Sequence, residues 1–260
     1  MELAKSGVGG FFVIDHDRLE VVNIWRHLSP VSDVGRFKVD SMRDQVSGIN
    51  PHAHVSTISR RVDWSFIETL RSEVRRADVL VCAADDRECR VVANTLAVEE
   101  NTPCVFGGAR RRAYGLQALV VRPGRGPCYQ DFLQSIVGAD QDQEVSTPAG
   151  ARRVGYSDKP VAAEPGLSLD IAPLSNMMAK LALHELLRGK PTGLHCLDED
   201  FEPALYWYLN RRDPDSPFRN LPPMKYEMLG MRVLRWYGMP LERNPNCPVC
   251  GDTPCENPDA

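Results

Sequence analysis

Residues 7–17 read Gly-Val-Gly-Gly-Phe-Phe-Val-Ile-Asp-His-Asp, a glycine cluster that runs into an apolar stretch and ends on acids. A loop that cradles phosphate follows a strand and opens a helix, so that backbone N–H groups and the helix N-terminus face the anion. Here the glycines precede the strand. Met1 to Lys5 therefore reads as the last turn of a helix, Gly7 to Gly10 as its C-cap and turn, and Phe11 to Ile14 as a short buried strand. The acids carry a different meaning. In dinucleotide-type α/β folds an acidic residue at the end of the second strand hydrogen-bonds a nucleotide ribose. Asp15 or Asp17 stands at that place, but no first strand and no G-x-G-x-x-G loop come before it.

Further along, short apolar runs alternate with helical stretches up to residue 122, the pattern of a parallel sheet with covering helices. Strands are expected at Phe11–Ile14, Ala53–Ile58, Asp78–Cys82, Pro103–Phe106 and Leu116–Val121. Apolar spacing predicts helices over Lys38–Ile49, Asp63–Arg76 and Arg87–Glu99. Residues 137–167 are rich in Ala, Gly, Asp, Gln and Pro and read as a flexible crossing segment or a linker. An apolar helix over Ile171–Leu187 follows, then strand-like pieces at His195–Leu197, Leu205–Leu209 and Leu234–Tyr237. The expected fold class is α/β. It comprises a Rossmann-like, mostly parallel sheet whose first strand is missing or upstream, a smaller C-terminal antiparallel extension, and a zinc half-site. The regions are 1–136 for nucleotide binding, 137–167 as the crossing loop, and 168–260 for the helix, small sheet and Cys-rich end.

The 260 residues are 43% hydrophobic and 25% charged, with a formal net charge of -4. That balance provides no basic field for nucleic acid. No apolar run reaches the roughly 18 residues of a membrane span and no signal-peptide layout opens the chain, so a cytoplasmic location is expected. Of eight cysteines, Cys247, Cys250 and Cys255 crowd together in a metal-like spacing rather than a disulfide framework.

Four segments carry candidate chemistry. Asp15, Asp17, Asn23, Arg26 and Lys38 fall within one strand-turn-helix crossing, and acid, amide, guanidinium and ammonium suit a ribose, an adenine edge and a polyphosphate. Each alone reads as a solvated surface group. Jointly they form D-x-D-x-x-x-x-x-N-x-x-R followed by V-G-x-x-K, which resembles the ThiF/MoeB adenylyltransferases, the superfamily that includes ubiquitin-activating enzymes. Residues 78–90, DVLVCAADDRECR, resemble that family's strand-C-T-D-N-x-x-x-R segment, aligning Asp85 with its acid near the reacting phosphates and Arg90 with its arginine. Asp85 at a strand end suits Mg²⁺; alternatively Asp85 or Asp86 merely caps the next helix. Residues 105–132 follow the layout G-A-x-x-x-x-x-G-Q…P-G-x-G-P-C-Y-x-C, and Arg110, Arg111 and Arg112 make a local basic cluster within them. NPNCPVCG at 244–251 matches the family's second zinc half-site. The first half-site keeps Cys128 but has Asp131 in place of its second cysteine. Zinc is thus expected on Cys128, Cys247 and Cys250 with either Asp131 or Cys255, or the site is degenerate.

The resemblance implies ATP-dependent adenylation of the C-terminal carboxylate of a ubiquitin-like or sulfur-carrier protein, with ATP and Mg²⁺ and in a homodimer or a heterodimer with a homologue. In that reading Asp85, Arg26 and Lys38 act at the reacting phosphates, Asp15 or Asp17 at the ribose, and Asn23 at the phosphate-side loop. Family members that form a thioester or persulfide use a cysteine in the crossing loop; residues 129–195 have none, and Cys89 and Cys196 read as packed small hydrophobes. The missing glycine loop lies upstream of Met1, or comes from a partner chain, or nucleotide binding has been lost. Two alternatives stay open: a non-catalytic subunit of a heterodimeric activating enzyme, and an adenylyltransferase acting on a peptide or tRNA.

Overall fold

The computed structural model describes residues 1–24, 26–110, 113–135, 167–212, 214, 218–223 and 230–252. Most of the expected crossing loop, together with Arg111, Arg112 and Cys255, lies outside them. A single helical turn, α1 (Glu2–Lys5), buries Ala4 and ends at Ser6. Gly7 then turns the chain at φ +86°, a conformation that costs a side chain its Cβ clearance. The turn delivers β1 (Gly10–Ile14), and α2 (Lys38–Ile49) returns the chain to β2 (His54–Ile58), which pairs with β1 in parallel. These two strands form a ladder of their own.

A 3-10 turn at Trp64–Phe66 leads into α3 (Ile67–Val74), and then β3 (Leu80–Cys82), α4 (Arg87–Glu99) and β4 (Cys104–Ala109) complete a second parallel pair. The remaining strands are antiparallel. β5 (Gly115–Val121) pairs with β4, β6 (Leu205–Leu209) with β5, and β7 (Arg235–Met239) with β6, giving a five-stranded sheet in the order β3-β4-β5-β6-β7. The C-terminal strands therefore extend the main sheet. The segment expected as a strand at His195–Leu197 is instead a 3-10 helix, Gly193–Leu197, because the Thr192 side chain accepts the Leu194 N–H and starts a turn.

Alternation on β4 and β5 divides the core. Phe106, Leu119 and Val121 face α4 and α5 (Tyr129–Ser135), whereas Val105, Leu116, Ala118 and Val120 face α6 (Ser168–Leu187) through Leu174, Met178 and Leu181. Helix α6 sits so close to β4 that a Cβ on Gly107 would lie 2.0 Å from Met178 Sδ. A third cluster, Phe66, Leu70, Val74, Val92 and Leu96 of the 64–74 segment and α4, takes Ile14 and Ile58 from the small ladder and Leu80 from β3. One helical layer thus holds both ladders.

Candidate functional site

Asp15 directly follows β1, and its Oδ1 accepts the Asp17 N–H at 2.8 Å in a turn that fixes both acids just past the strand's C-terminal end. Lys38, the first residue of α2, reaches back across this turn: its Nζ donates to Asp17 Oδ2 at 2.7 Å and its side chain is 18% exposed. The sequence pattern V-G-x-x-K is explained by this geometry, since Gly35 takes φ +92° to bring the chain around and its N–H bonds Leu19 O at 2.8 Å. Asn23 is buried and its Oδ1 accepts the Glu20 N–H at 3.0 Å, which closes the 3-10 turn between Asp17 and Arg26.

Histidine 27 belongs to the same neighbourhood. Burial, and after it the Lys38 ammonium, pushes its imidazole below the ordinary value, with Asp15 pulling the other way and Arg26 adding to the depression. Asp15, Arg26, His27 and Lys38 therefore share one electrostatic environment. His27 was not picked out from the sequence, where it has no motif partner and only adjoins Arg26.

Asp85 comes in from the other ladder. It follows β3, is open to solvent at the crevice mouth, and has enough protein around it that desolvation raises its carboxyl pKa, with Arg90 and Lys38 opposing and Asp17 adding to the rise. Asp86, not Asp85, caps α4: its Oδ1 accepts the Cys89 N–H at 3.0 Å, while Arg61 donates to its Oδ2 at 2.7 Å. Capping thus leaves the Asp85 carboxylate available. Arg90 donates from Nε to Ala84 O at 2.7 Å and from Nη2 to Gly107 O at 2.6 Å, so it fixes the turn that carries Asp85. Arg110 is likewise buried, donating to Gln117 Oε1 at 3.2 Å beside the Trp207 ring, while Arg111 and Arg112 of the expected basic cluster lie outside the described residues. Cys89 packs against the core as expected, but Cys196 is exposed.

A second group of side chains lies apart from the crevice. Donor atoms of Cys128, Asp131, Cys247 and Cys250 all fall within 4.8 Å of one another. Cys128 Sγ is 3.7 Å from Cys247 Sγ, and a tetrahedral zinc with Zn–S bonds of about 2.3 Å sets its sulfurs about 3.8 Å apart. The Cys250 thiol donates to Asp131 Oδ2 at 3.0 Å, the Cys128 N–H to the same oxygen at 2.7 Å, and the Asn244 N–H to Oδ1 at 3.2 Å. Burial works to raise the Asp131 carboxyl, but these donors hold it below its usual value. Burial pushes the Cys128 and Cys250 thiols up. Three thiols and an ionised carboxylate converging in a buried pocket fit a tetrahedral cation, and Asp131 fills the place left by the absent second cysteine.

The family model described as ThiF family matches residues 1–204. The chain is 30% identical over 261 aligned positions to the sulfur carrier protein adenylyltransferase of Thermus thermophilus, covering 98% of this chain and 78% of that one. It is 29% identical over 216 positions to the SAMP-activating enzyme E1 of Haloferax volcanii, covering 83% and 73%. Among solved structures, Escherichia coli MccB with MccA-N7isoASN superposes with a TM-score of 0.61 at 17% identity, which speaks to the fold; the match covers 95% of this chain and 62% of MccB. Among the described residues no helix is long and apolar enough to cross a membrane.

Proposed function

This chain belongs to the ThiF family, and on that premise we propose that it adenylates the C-terminal carboxylate of a small sulfur-carrier or ubiquitin-like protein, using ATP. The observation that carries the reading is the convergence at one crevice of Asp15, Asp17 and Lys38 from β1 and α2 with Asp85 from β3. Ligands of open α/β sheets bind at the carboxyl ends of their strands.

In the proposed reaction a carboxylate oxygen of the acceptor attacks the α-phosphorus of ATP. A C–O–P anhydride bond forms, the bond from Pα to the bridging oxygen breaks, and pyrophosphate leaves with that electron pair. Asp15 hydrogen-bonds the ribose, with Asp17 beside it. Arg26 and Lys38 neutralise the polyphosphate and the charge that develops at the transferring phosphorus, Lys38 exchanging its Asp17 partner for a phosphate oxygen. Asn23 holds the turn between them. Asp85 would hold a magnesium ion, which would screen the negative charge of the phosphates. Cys128, Asp131, Cys247 and Cys250 would hold zinc as a structural ion, with every position taken by protein, pinning the 244–251 segment to the start of α5. With no cysteine at 129–195, no thioester step is assigned to the crossing segment.

The test is ATP–pyrophosphate exchange with purified sulfur-carrier and ubiquitin-like proteins, each with a free or an amidated C-terminus. Exchange that needs the free carboxylate supports the reading; exchange indifferent to amidation overturns it.

A further inference from the structure

The five-stranded sheet has two ends, and the crevice occupies only the one where β3 and β4 finish. Strand β5 runs back against β4, with Ala109 opposite Leu116 and Cys104 opposite Val121, so Arg122 and the turn after it emerge at the far end. Strand β6 enters there, Leu205 lying opposite Leu119, and β7 leaves there, since Met239 pairs with Leu205. The 122–127 turn, residues 199–204, residues 238–241 and Arg188 at the end of α6 enclose a cavity of about 570 Å³ at this end. None of the crevice residues and none of Cys128, Asp131, Cys247 and Cys250 lines it.

Most of the charge in its wall is already matched. Arg122 is held rigidly, its Nε donating to Glu185 Oε1 at 2.9 Å, its Nη1 to Glu202 O at 3.1 Å and its Nη2 to Phe201 O at 2.6 Å. Arg188 donates to the same Glu185 carboxylate at 2.9 Å and stands in the field of the Glu202 carboxylate. Two guanidinium groups thus face two carboxylates. Arg125 and Glu199 are left over: both are exposed, they come from different turns, and among the described residues neither forms an ion pair with the other or with a neighbour. Pro127, Pro203, Met239 and Leu241 supply the apolar part of the wall. Pro203 is packed against β7 so closely that a Cβ on Gly238 would lie 2.9 Å from its Cγ, whereas a Cβ on Gly126 would meet nothing within 4 Å.

An unmatched cation and an unmatched anion on an otherwise apolar wall complement a molecule with an anion at one end, a cation at the other and an apolar body between them. A sphere of this volume is about 10 Å across, and three residues of extended chain also span about 10 Å. A free amino acid carries both charges on one carbon and would leave most of that length empty. We propose that the cavity binds a free peptide of about three residues with an apolar middle side chain, its α-carboxylate accepting from Arg125 and its α-ammonium donating to Glu199. The site lies at the end of the sheet away from Asp15 and Asp85, and the inference holds whatever the crevice binds.

The probe is the tripeptide alanyl-leucyl-alanine, titrated into the isotopically labelled full chain without nucleotide and followed by amide chemical shifts. Saturable shifts are expected at residues 122–127 and 199–204, with affinity falling about tenfold when either peptide terminus is blocked by acetylation or amidation. Arg125→Gln should weaken the free peptide about tenfold and leave the C-amidated one unchanged, and Glu199→Gln should do the same for the N-acetylated one. Both side chains are exposed, so these variants test the proposal even if a bulkier change fails to fold. Gly126→Leu extends a side chain into the open space and should abolish binding while the zinc content stays that of the parent. No binding at millimolar peptide would overturn the proposal. Affinity indifferent to both blocked termini, or Arg125→Gln weakening free and amidated peptide alike, would overturn it equally.

Discussion

Gly251→Ala offers the sharpest stereochemical test of the metal cluster. Gly251 follows Cys250, and its N–H bonds Cys247 O at 2.8 Å, closing the knuckle that points both thiols inward. A Cβ built there would lie 2.4 Å from Cys247 O, 2.6 Å from Pro245 O and 2.7 Å from Cys247 N. All three are backbone atoms, so no rotamer change relieves the contact and the knuckle must open. Forcing a group into well-packed surroundings costs about 1–3 kcal/mol, and three backbone clashes put this substitution at about 3 kcal/mol, or a zinc affinity about a hundredfold weaker. Competition with a chromophoric chelator measures it directly. Gly9→Ala is the control, since nothing lies within 4 Å of its added Cβ. Zinc held equally tightly by Gly251→Ala and the parent would refute the assignment of this knuckle as a metal site.

Other substitutions probe the scaffold and the crevice separately. Glu185 is buried and its carboxylate takes Arg188 Nε at 2.9 Å and Arg122 Nε at 2.9 Å; Glu185→Ala leaves Arg122 only the Phe201 and Glu202 carbonyls and Arg188 its solvent-facing side, and should cost about 3 kcal/mol in chemical denaturation. Burial works to raise the Glu185 carboxyl, but Arg188 and Arg122 prevail and lower it. Its contribution is therefore full above the unfolded value of about 4.3 and is lost as pH falls through the lower folded value; Glu185→Gln should flatten the acid limb of the Tm profile below about pH 5. Asp86→Ala removes the α4 cap and should cost about 1 kcal/mol, while Asp85→Asn, which touches no cap, should leave the unfolding free energy within about 0.5 kcal/mol of the parent and weaken Mg²⁺-dependent nucleotide binding.

Much of the fold was legible because local signals agreed. Helices α2 and α4 begin and end where apolar spacing placed them, and the glycine cluster at 7–10 proved to be a helix-to-strand turn. The 3-10 helix at Gly193–Leu197 was misread because a short apolar run carries no period, and its decisive bond is a Thr192 side chain to backbone. Choosing Asp86 over Asp85 as the cap needed φ and ψ, since the two acids are adjacent and chemically alike. His27 and the burial of Arg110 depend on contacts across the chain that no spacing announces. Asp131 was identifiable as one of two candidates for the fourth ligand only because three cysteines surround it in pattern; its oxygen 3.0 Å from Cys250 Sγ places it in the donor set.

The central claim is that the crevice at the carboxyl ends of β1 and β3 binds a nucleotide. A titration of the isotopically labelled chain with Mg²⁺-ATP, followed by amide chemical shifts, tests it even at millimolar affinity. The account predicts saturable shifts clustered at Asp15–Asp17, Lys38 and Asp85, weakened about tenfold in Lys38→Ala by loss of a charged hydrogen bond of about 1.5 kcal/mol. Shifts scattered elsewhere, or a titration unchanged by Lys38→Ala, would contradict it.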